Sequence, residues 1–351
     1  MYLPAFRRPV ISLLAATALT AAVAACGSSS PSSSSSSSAS SASATGAVAT
    51  GTAGSSGIHL AEVLANTSDP FFMSIACASQ AEATKLGVSL QTFNATNTDT
   101  NTIANNFQSA SLTNPQGIFA DPFDNNQFIA QYKAMMAKGV PVVTGNGTSP
   151  PAEYKNIYSA SDTARFAPAV LKSVPSGSGS LVYLGGAPGI PPLQSRTLPF
   201  VKAVETARPD LKALPTEYSG FDVNKTTTDL GSILLAHPDL KLVIAADGPD
   251  AQGAIAALRA AGKAGKVTLV AFDAIPTEVA ALQQGTITDL IAQSPFAIGR
   301  DSIDALVSYL KAHPNGGQVP NAGSATIPNQ LLTKATLGSP ANADYIYKAS
   351  C

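Results

Sequence analysis

Acidic and amide side chains recur in this chain directly behind short apolar runs. They stand at 66–72, 121–124 and 145–146 in the first half, and at Asp247 and Asp273 in the second. One Asp or Asn in such a place is ordinarily a helix cap or an Asx turn. Recurrence in both halves points further, to polar groups converging on one cleft. Carboxylates and amides of that kind exchange hydrogen bonds with hydroxyl groups. Two carboxylates across a cleft can also hydrolyse glycosidic bonds, which is the enzymatic alternative. Other catalytic chemistry finds little support. Of the three histidines, His237 and His313 each precede a proline at the end of a helical stretch, and His59 opens the first apolar run. No H-E-x-x-H, paired-cysteine zinc spacing or phosphate-binding P-loop occurs. Gly177-Ser178-Gly179 lacks the flanking pattern of a nucleophile elbow. A binding protein without catalytic residue, cofactor or metal is expected.

Those side chains need elements to hold them, and the chain alternates strand-like and helix-like segments from residue 58 onward. Strand-like runs stand at 58–65, 88–93, 117–120, 140–144, 180–184, 211–217, Leu240–Ala245, 267–272 and 286–292. Helix-like segments stand at Pro70–Leu86, 101–112, 125–138, 196–207, Val223–Ala236, 250–261, 277–284 and 297–311. Repeated alternation predicts an α/β fold whose parallel sheets are covered by helices on both faces. Ligands on such sheets bind outside the carboxyl ends of the strands. The polar residues above fall there.

A chain of 351 residues is long enough for two domains. Its net charge of −1 gives no broad basic surface for nucleic acid. The first residues read as a targeting segment rather than as structure: Arg7 and Arg8, then a weakly hydrophobic run from 10 to 25. Val23-Ala24-Ala25-Cys26-Gly27 resembles the lipobox of bacterial lipoproteins, which implies cleavage before Cys26 and acylation of its thiol. Plain secretion is the alternative, and Arg7-Arg8 loosely matches a twin-arginine signal as well. Residues 26–57 are rich in Ser, Ala, Gly and Thr, so they cannot bury enough surface to offset their ordering entropy and read as a tether. Localisation outside the cytoplasm, on a lipid anchor, is expected. Cys77 and Cys351 then remain, and two cysteines in that compartment usually pair. A bond between them would staple the C-terminal tail onto the first helix; two free thiols are the alternative.

Several stretches carry a family resemblance. Asp69-Pro70-Phe71-Phe72 follows the first strand, and Val140-Pro141-Val142-Val143-Thr144 forms the fourth. Leu235-Ala236-His237-Pro238-Asp239 leads into the strand that ends before Asp247. Val270-Ala271-Phe272-Asp273 and Ile291-Ala292-Gln293, with Ile298-Gly299 beyond, complete the series. In order and spacing these resemble the periplasmic binding protein type 1 family, in its sugar-binding, ribose-binding-protein-like branch, over residues 58 to about 333. The resemblance implies two doubly wound parallel-sheet lobes joined by a three-crossing hinge. The first lobe would hold 58–160 plus 294–326, and the second 161–293 plus 327–351 with the tail.

The resemblance also implies a ligand set. Phe71 and Phe72, with Phe221 from the second lobe, would stack on the apolar faces of a sugar. Asp69, Asn146, Arg196, Asp247, Asp273 and Gln293 would bind its hydroxyl rim. Asp69 and Asp247 stand where the family has Asn, which keeps an acceptor, loses an amide donor and adds charge. Asn146-Gly147 replaces an Asp-Arg pair, so one charged donor is lost and room is gained for a larger guest or another epimer. Three carboxylates, Asp69, Asp247 and Asp273, would then face the single guanidinium of Arg196. A monosaccharide or polyol suits that balance; a cationic, amino-bearing molecule is the alternative, and acidic guests are disfavoured. The implied partner is an ABC transporter permease, with a sensory receptor as the rival role, and a monomer is expected.

Overall fold

The computed structural model describes residues 57–145 and 152–351. The expected leader, acylation at Cys26, tether up to residue 56 and contact at Asn146 lie outside those residues.

Two six-stranded sheets carry the fold. The first takes β1 (His59–Leu64), β2 (Ser89–Thr92), β3 (Gly117–Asp121), β4 (Val142–Gly145), β5 (Lys155–Ser159) and β11 (Ser324–Ile327). Their order is β2-β1-β3-β4-β5-β11, and every pairing is parallel. The second takes β6 (Gly179–Leu184), β7 (Leu211–Ala213), β8 (Leu240–Ala245), β9 (Thr268–Phe272), β10 (Asp289–Ala292) and β12 (Gln330–Thr333). Its order is β7-β6-β8-β9-β10-β12, parallel except where β12 runs antiparallel to β10. In each sheet the order reverses beside its first strand, β1 or β6. That reversal opens a crevice at the strand carboxyl ends.

The strands lie between helices, so both their faces are apolar. β3, β6 and β9 are buried along their whole length. The helices are α1 (Pro70–Leu86), α2 (Thr100–Leu112), α3 (Ile129–Ala137), α4 (Ala167–Val170), α5 (Pro191–Ala207), α6 (Val223–Ala236), α7 (Gly248–Ala260), α8 (Pro276–Gln284) and α9 (Pro295–Ala312). α1 and α9 pack together over the first sheet. Their close approach depends on Gly299: a Cβ there would collide with the Ile75 carbonyl oxygen and sit 3.0 Å from Ser79 Oγ.

The chain passes between the sheets after β5, after β10 and between β11 and β12. The first and third passages are bonded to each other. Ala160 N donates to Ile327 O at 2.8 Å, and Asn329 Nδ2 donates to Ala160 O at 2.5 Å.

The structure departs from the sequence reading in particular places. The helix expected at 125–138 begins as a 3-10 turn, Asn125–Phe128. α5 starts five residues before Arg196, because Pro191 and Pro192 fit a first helical turn that needs no N–H donors. The expected extended run 211–217 is a named strand only over the three residues of β7, and it meets β6 again at an isolated bridge between Glu217 and Leu184. β5, α4, β11 and β12 are additional. β5, β11 and β12 are short, and none is buried along its length.

Beyond β12 the chain returns to the first sheet's helices through a 3-10 turn, Pro340–Tyr345. Lys348 N donates to Ser74 Oγ on α1 at 2.7 Å. Cys351 is disulfide-bonded to Cys77 on α1, with Cα atoms 5.4 Å apart across a sequence separation of 274.

Candidate functional site

A cavity of about 420 Å³ opens where the carboxyl ends of the two sheets face each other, within the size range of small-molecule sites. Asp69, Phe71, Phe72, Arg196, Phe221, Asp247, Asp273 and Gln293 all line it.

From the first sheet, the turn after β1 delivers Asp69 as the N-cap of α1. Its Oδ1 accepts from Phe71 N at 2.8 Å. The cap aims the positive end of the helix toward the cavity. Burial raises the Asp69 pKa against the pull of that bond, and the charge of Asp273 adds to the rise. Phe71 and Phe72 follow on the first turn, edge to face, with ring centroids 5.3 Å apart. Both rings touch the cavity and also belong to the hydrophobic core.

From the second sheet, Asp247 caps α7 after β8, its Oδ1 accepting from Asp250 N at 3.0 Å. Its Oδ2 is buried without a partner among the described residues. Burial, with the Asp250 carboxylate beside it, pushes the Asp247 carboxyl up to about 8. Room for that carboxyl depends on Gly186. Gly186 holds a left-handed φ of 67°, and a Cβ there would strike Asp247 Oδ2. Asp250 itself is fully engaged by Gly186 N at 2.6 Å, Ser219 Oγ at 2.7 Å and Thr226 Oγ1 at 2.9 Å. Those bonds tie the loops after β6 and before α6 to α7, and so position Phe221. Phe221 is 37% exposed at the cavity mouth, with φ 67°.

Arg196, on the second turn of α5, is the electrostatic centre. It grips Asp273 with both terminal nitrogens, NH1 to Oδ1 at 2.8 Å and NH2 to Oδ2 at 3.1 Å. It also donates to Gln293 Oε1 and, at 3.2 Å, to Ala246 O. Asp273 sits directly after β9 in a left-handed conformation, φ 86°. Gln293 stands at the second passage between the sheets, immediately after β10.

Other residues at the site escaped the sequence reading. Asn66, Thr98, Phe123, Gln252 and Ile275 line the same cavity. The strand-end rule had pointed at 66–72 and 121–124 without selecting Asn66 or Phe123. Asp121 itself is not among the lining residues: it is wholly buried at the end of β3, and both its oxygens lack a partner among the described residues. Asp124 is a plain cap, accepting from Asn126 N at 3.0 Å. Behind the cavity, Tyr347 Oη donates to Asp273 Oδ1 at 3.0 Å and accepts from Gln293 N at 3.2 Å. No local signal marks Tyr347, because its place depends on a path set 274 residues apart by the disulfide.

Residues 61–314 match the family described as periplasmic binding protein domain. A ribose import binding protein of Salmonella typhimurium is 27% identical over 255 residues, covering 72% of this chain and 84% of that protein. Among solved structures, an ABC transporter solute-binding protein of Agrobacterium vitis, bound with α-D-tagatopyranose, superposes with a TM-score of 0.70 at 22% identity. It covers 83% of this chain and 99% of that one. A Bradyrhizobium solute-binding protein with bound Bis-Tris has a TM-score of 0.72 at 18% identity, covering 84% of this chain and 87% of that one. Two doubly wound sheets, three passages between them and this match over most of the chain agree: the protein belongs to the periplasmic binding protein family.

Proposed function

We propose that this protein captures a monosaccharide or related polyol between its two sheets and presents it to an ABC transporter permease. The observation that carries this reading is the facing of Phe71 and Phe72 from one sheet with Arg196, Asp247 and Asp273 from the other across one cavity. Rings cover the C–H faces of a sugar, and the carboxyls and guanidinium meet its hydroxyls. The state of Asp247 strengthens the reading. A carboxyl with a pKa of about 8 is protonated at neutral pH, so it offers both a donor and an acceptor. A hydroxyl is matched by that pair. Closure would follow from the guest bonding both halves at once, which only the closed form permits.

The role is binding rather than turnover, with hydrolysis of an aryl glycoside as the assay that would reveal otherwise. The sequence supports export and a lipid on Cys26 as the means of holding the protein outside the cytoplasm. Among the described residues no helix is long and apolar enough to cross a membrane.

A second reading, an amino-bearing guest, has one observation in its favour. Arg196 is committed to Asp273, which leaves Asp69 and Asp247 without a cation of their own. A thermal-shift panel of pentoses, hexoses, polyols and amino sugars tests both. A guest that binds the folded state raises the melting temperature by mass action. Neutral sugars should give the largest rise. A rise confined to amino sugars selects the second reading, and no rise at millimolar concentration overturns both.

A further inference from the structure

The segment 340–351 touches both halves of the molecule and, from behind, three residues that line the cavity between them, Phe71, Asp273 and Gln293. On the second-sheet side, Tyr347 N donates to Ala274 O at 3.0 Å and Tyr347 Oη to Asp273 Oδ1 at 3.0 Å. At the passage after β10, Gln293 N donates to Tyr347 Oη at 3.2 Å and Ser294 Oγ to Asp344 O at 3.2 Å. On the first-sheet side, Arg300 of α9 bonds Asp344 at 2.9 Å, and Lys348 N bonds Ser74 Oγ at 2.7 Å. The Tyr347 ring lies edge-on to Phe71, with centroids 5.7 Å apart. The segment leaves the second sheet at β12 and ends covalently on α1 through Cys351 and Cys77. It is therefore a fourth link between the halves, in addition to the three chain passages, and the one closed by a side-chain bond.

We propose that this segment is a strap: the Cys77–Cys351 bond limits how far the two halves separate, and the strap holds Tyr347 against Asp273 as a positioning residue of the ligand site. A three-passage hinge alone leaves the halves free to swing apart about those passages. A link anchored on α1, whose N-terminal turn carries Phe71 and Phe72, shortens that swing. Tyr347 then acts on the cavity through Asp273. The Asp273 carboxylate is held by Arg196 through both oxygens and by Tyr347 through Oδ1, so its orientation toward a guest is set before the guest arrives. The positioning role of Tyr347 rests on the cavity being the ligand site; the limit on opening does not.

Leu112 at the end of α2 and Leu235 at the end of α6 are 75% and 86% exposed. Both lie at helix carboxyl ends, which point away from the strand ends that form the crevice. Keto amino acids placed at 112 and 235 accept spin labels without touching any cysteine. Pulsed dipolar spectroscopy then reads the separation of the halves in the sugar-free full chain. Cys351→Ser should move that distribution to longer distances and broaden it, relative to the disulfide-bonded chain, while circular dichroism stays unchanged. Tyr347→Phe, with the disulfide intact, should keep the upper limit of the distribution and weaken D-ribose, or the best sugar of the panel, by about tenfold. A purely structural disulfide would lower the melting temperature of Cys351→Ser and leave the distances where they were; that result overturns the strap. Unchanged affinity in Tyr347→Phe overturns the positioning role. If no sugar on the panel binds, the function fails, and the sugar-free distances still decide the strap.

Discussion

A buried carboxyl does not have to behave as an anion, and Asp247 shows why. From residue type alone, an Asp in place of the family's Asn adds charge and loses a donor. Burial reverses that arithmetic, because a pKa of about 8 keeps the proton on the carboxyl at neutral pH. The protonated acid then resembles the amide it replaces, a donor group beside a carbonyl acceptor on a similar frame, with one O–H where the amide has two N–H. Asp247→Asn should therefore bind a neutral sugar at pH 7 within a few-fold of the parent chain. The parent's affinity should fall as pH rises through about 8, where the proton is lost, and the Asn variant should show no such fall. Calorimetric titrations across about pH 6 to 9 read both. An amino-bearing guest would behave oppositely, losing most of its affinity in the variant. Asp69, Asp247 and Asp273, which line the cavity, were legible because strand ends can be read from apolar runs that stop at a polar residue, whereas Arg196, Phe221 and Gln293 were indicated only by the family resemblance. Charge states were not legible, since they depend on what packs around each group. The pairing of Arg196 with Asp273 was equally invisible in a simple count of three carboxylates against one guanidinium.

Some elements were readable to the residue, although length alone did not secure this: α5 and α9 begin five and two residues before their expected starts. α1, α6 and β8 fall where the sequence put them. α1 carries an N-cap Asp, a Pro at its start and a Gly at its C-cap with φ 66°, so its ends are marked by three independent residues. β5, β11 and β12 carried too little signal, being four or five residues long and only partly buried. Tertiary pairing, not propensity, makes them strands. Contact between helices is legible in a similar, limited way. Gly299 was visible as part of a family pattern, and the structure supplies its reason, the passage of α9 against the α1 backbone at Ile75. Gly299→Ala should force the two helices apart and destabilise the protein by about 1–3 kcal/mol, the usual range for overpacking. Urea unfolding at pH 7 checks this. A change within a few tenths of a kcal/mol would mean that α9 can shift without loss.

At the scale of the whole molecule, several buried acids among the described residues are shifted in one direction. Burial raises Glu62 to about 7, Asp289 to about 6 and Asp247 to about 8. Burial also raises Asp121 and Glu278 well above the usual carboxylate range. Glu62 and Asp121 lie on neighbouring strands β1 and β3, and the charge of Glu62 adds to the rise at Asp121. The lowered carboxyls are exposed, Asp99 held by Thr102 and Asp210 by Arg208, so their opposing effect is screened. The sign follows from proton counting. Between the unfolded carboxylate pKa near 4 and these raised values, the folded chain holds protons that the unfolded chain releases. Stability must then fall as pH rises through about 5 to 8 and be fuller toward the acid end. Melting of the sugar-free protein should accordingly occur at a higher temperature at about pH 5 than at about pH 8. Glu62→Gln, which keeps Asn94 within reach as a hydrogen-bond partner and cannot ionise, should flatten part of that slope. A melting temperature that rises from pH 5 to pH 8 would show that these acids ionise inside the fold, with water or an unidentified cation reaching them.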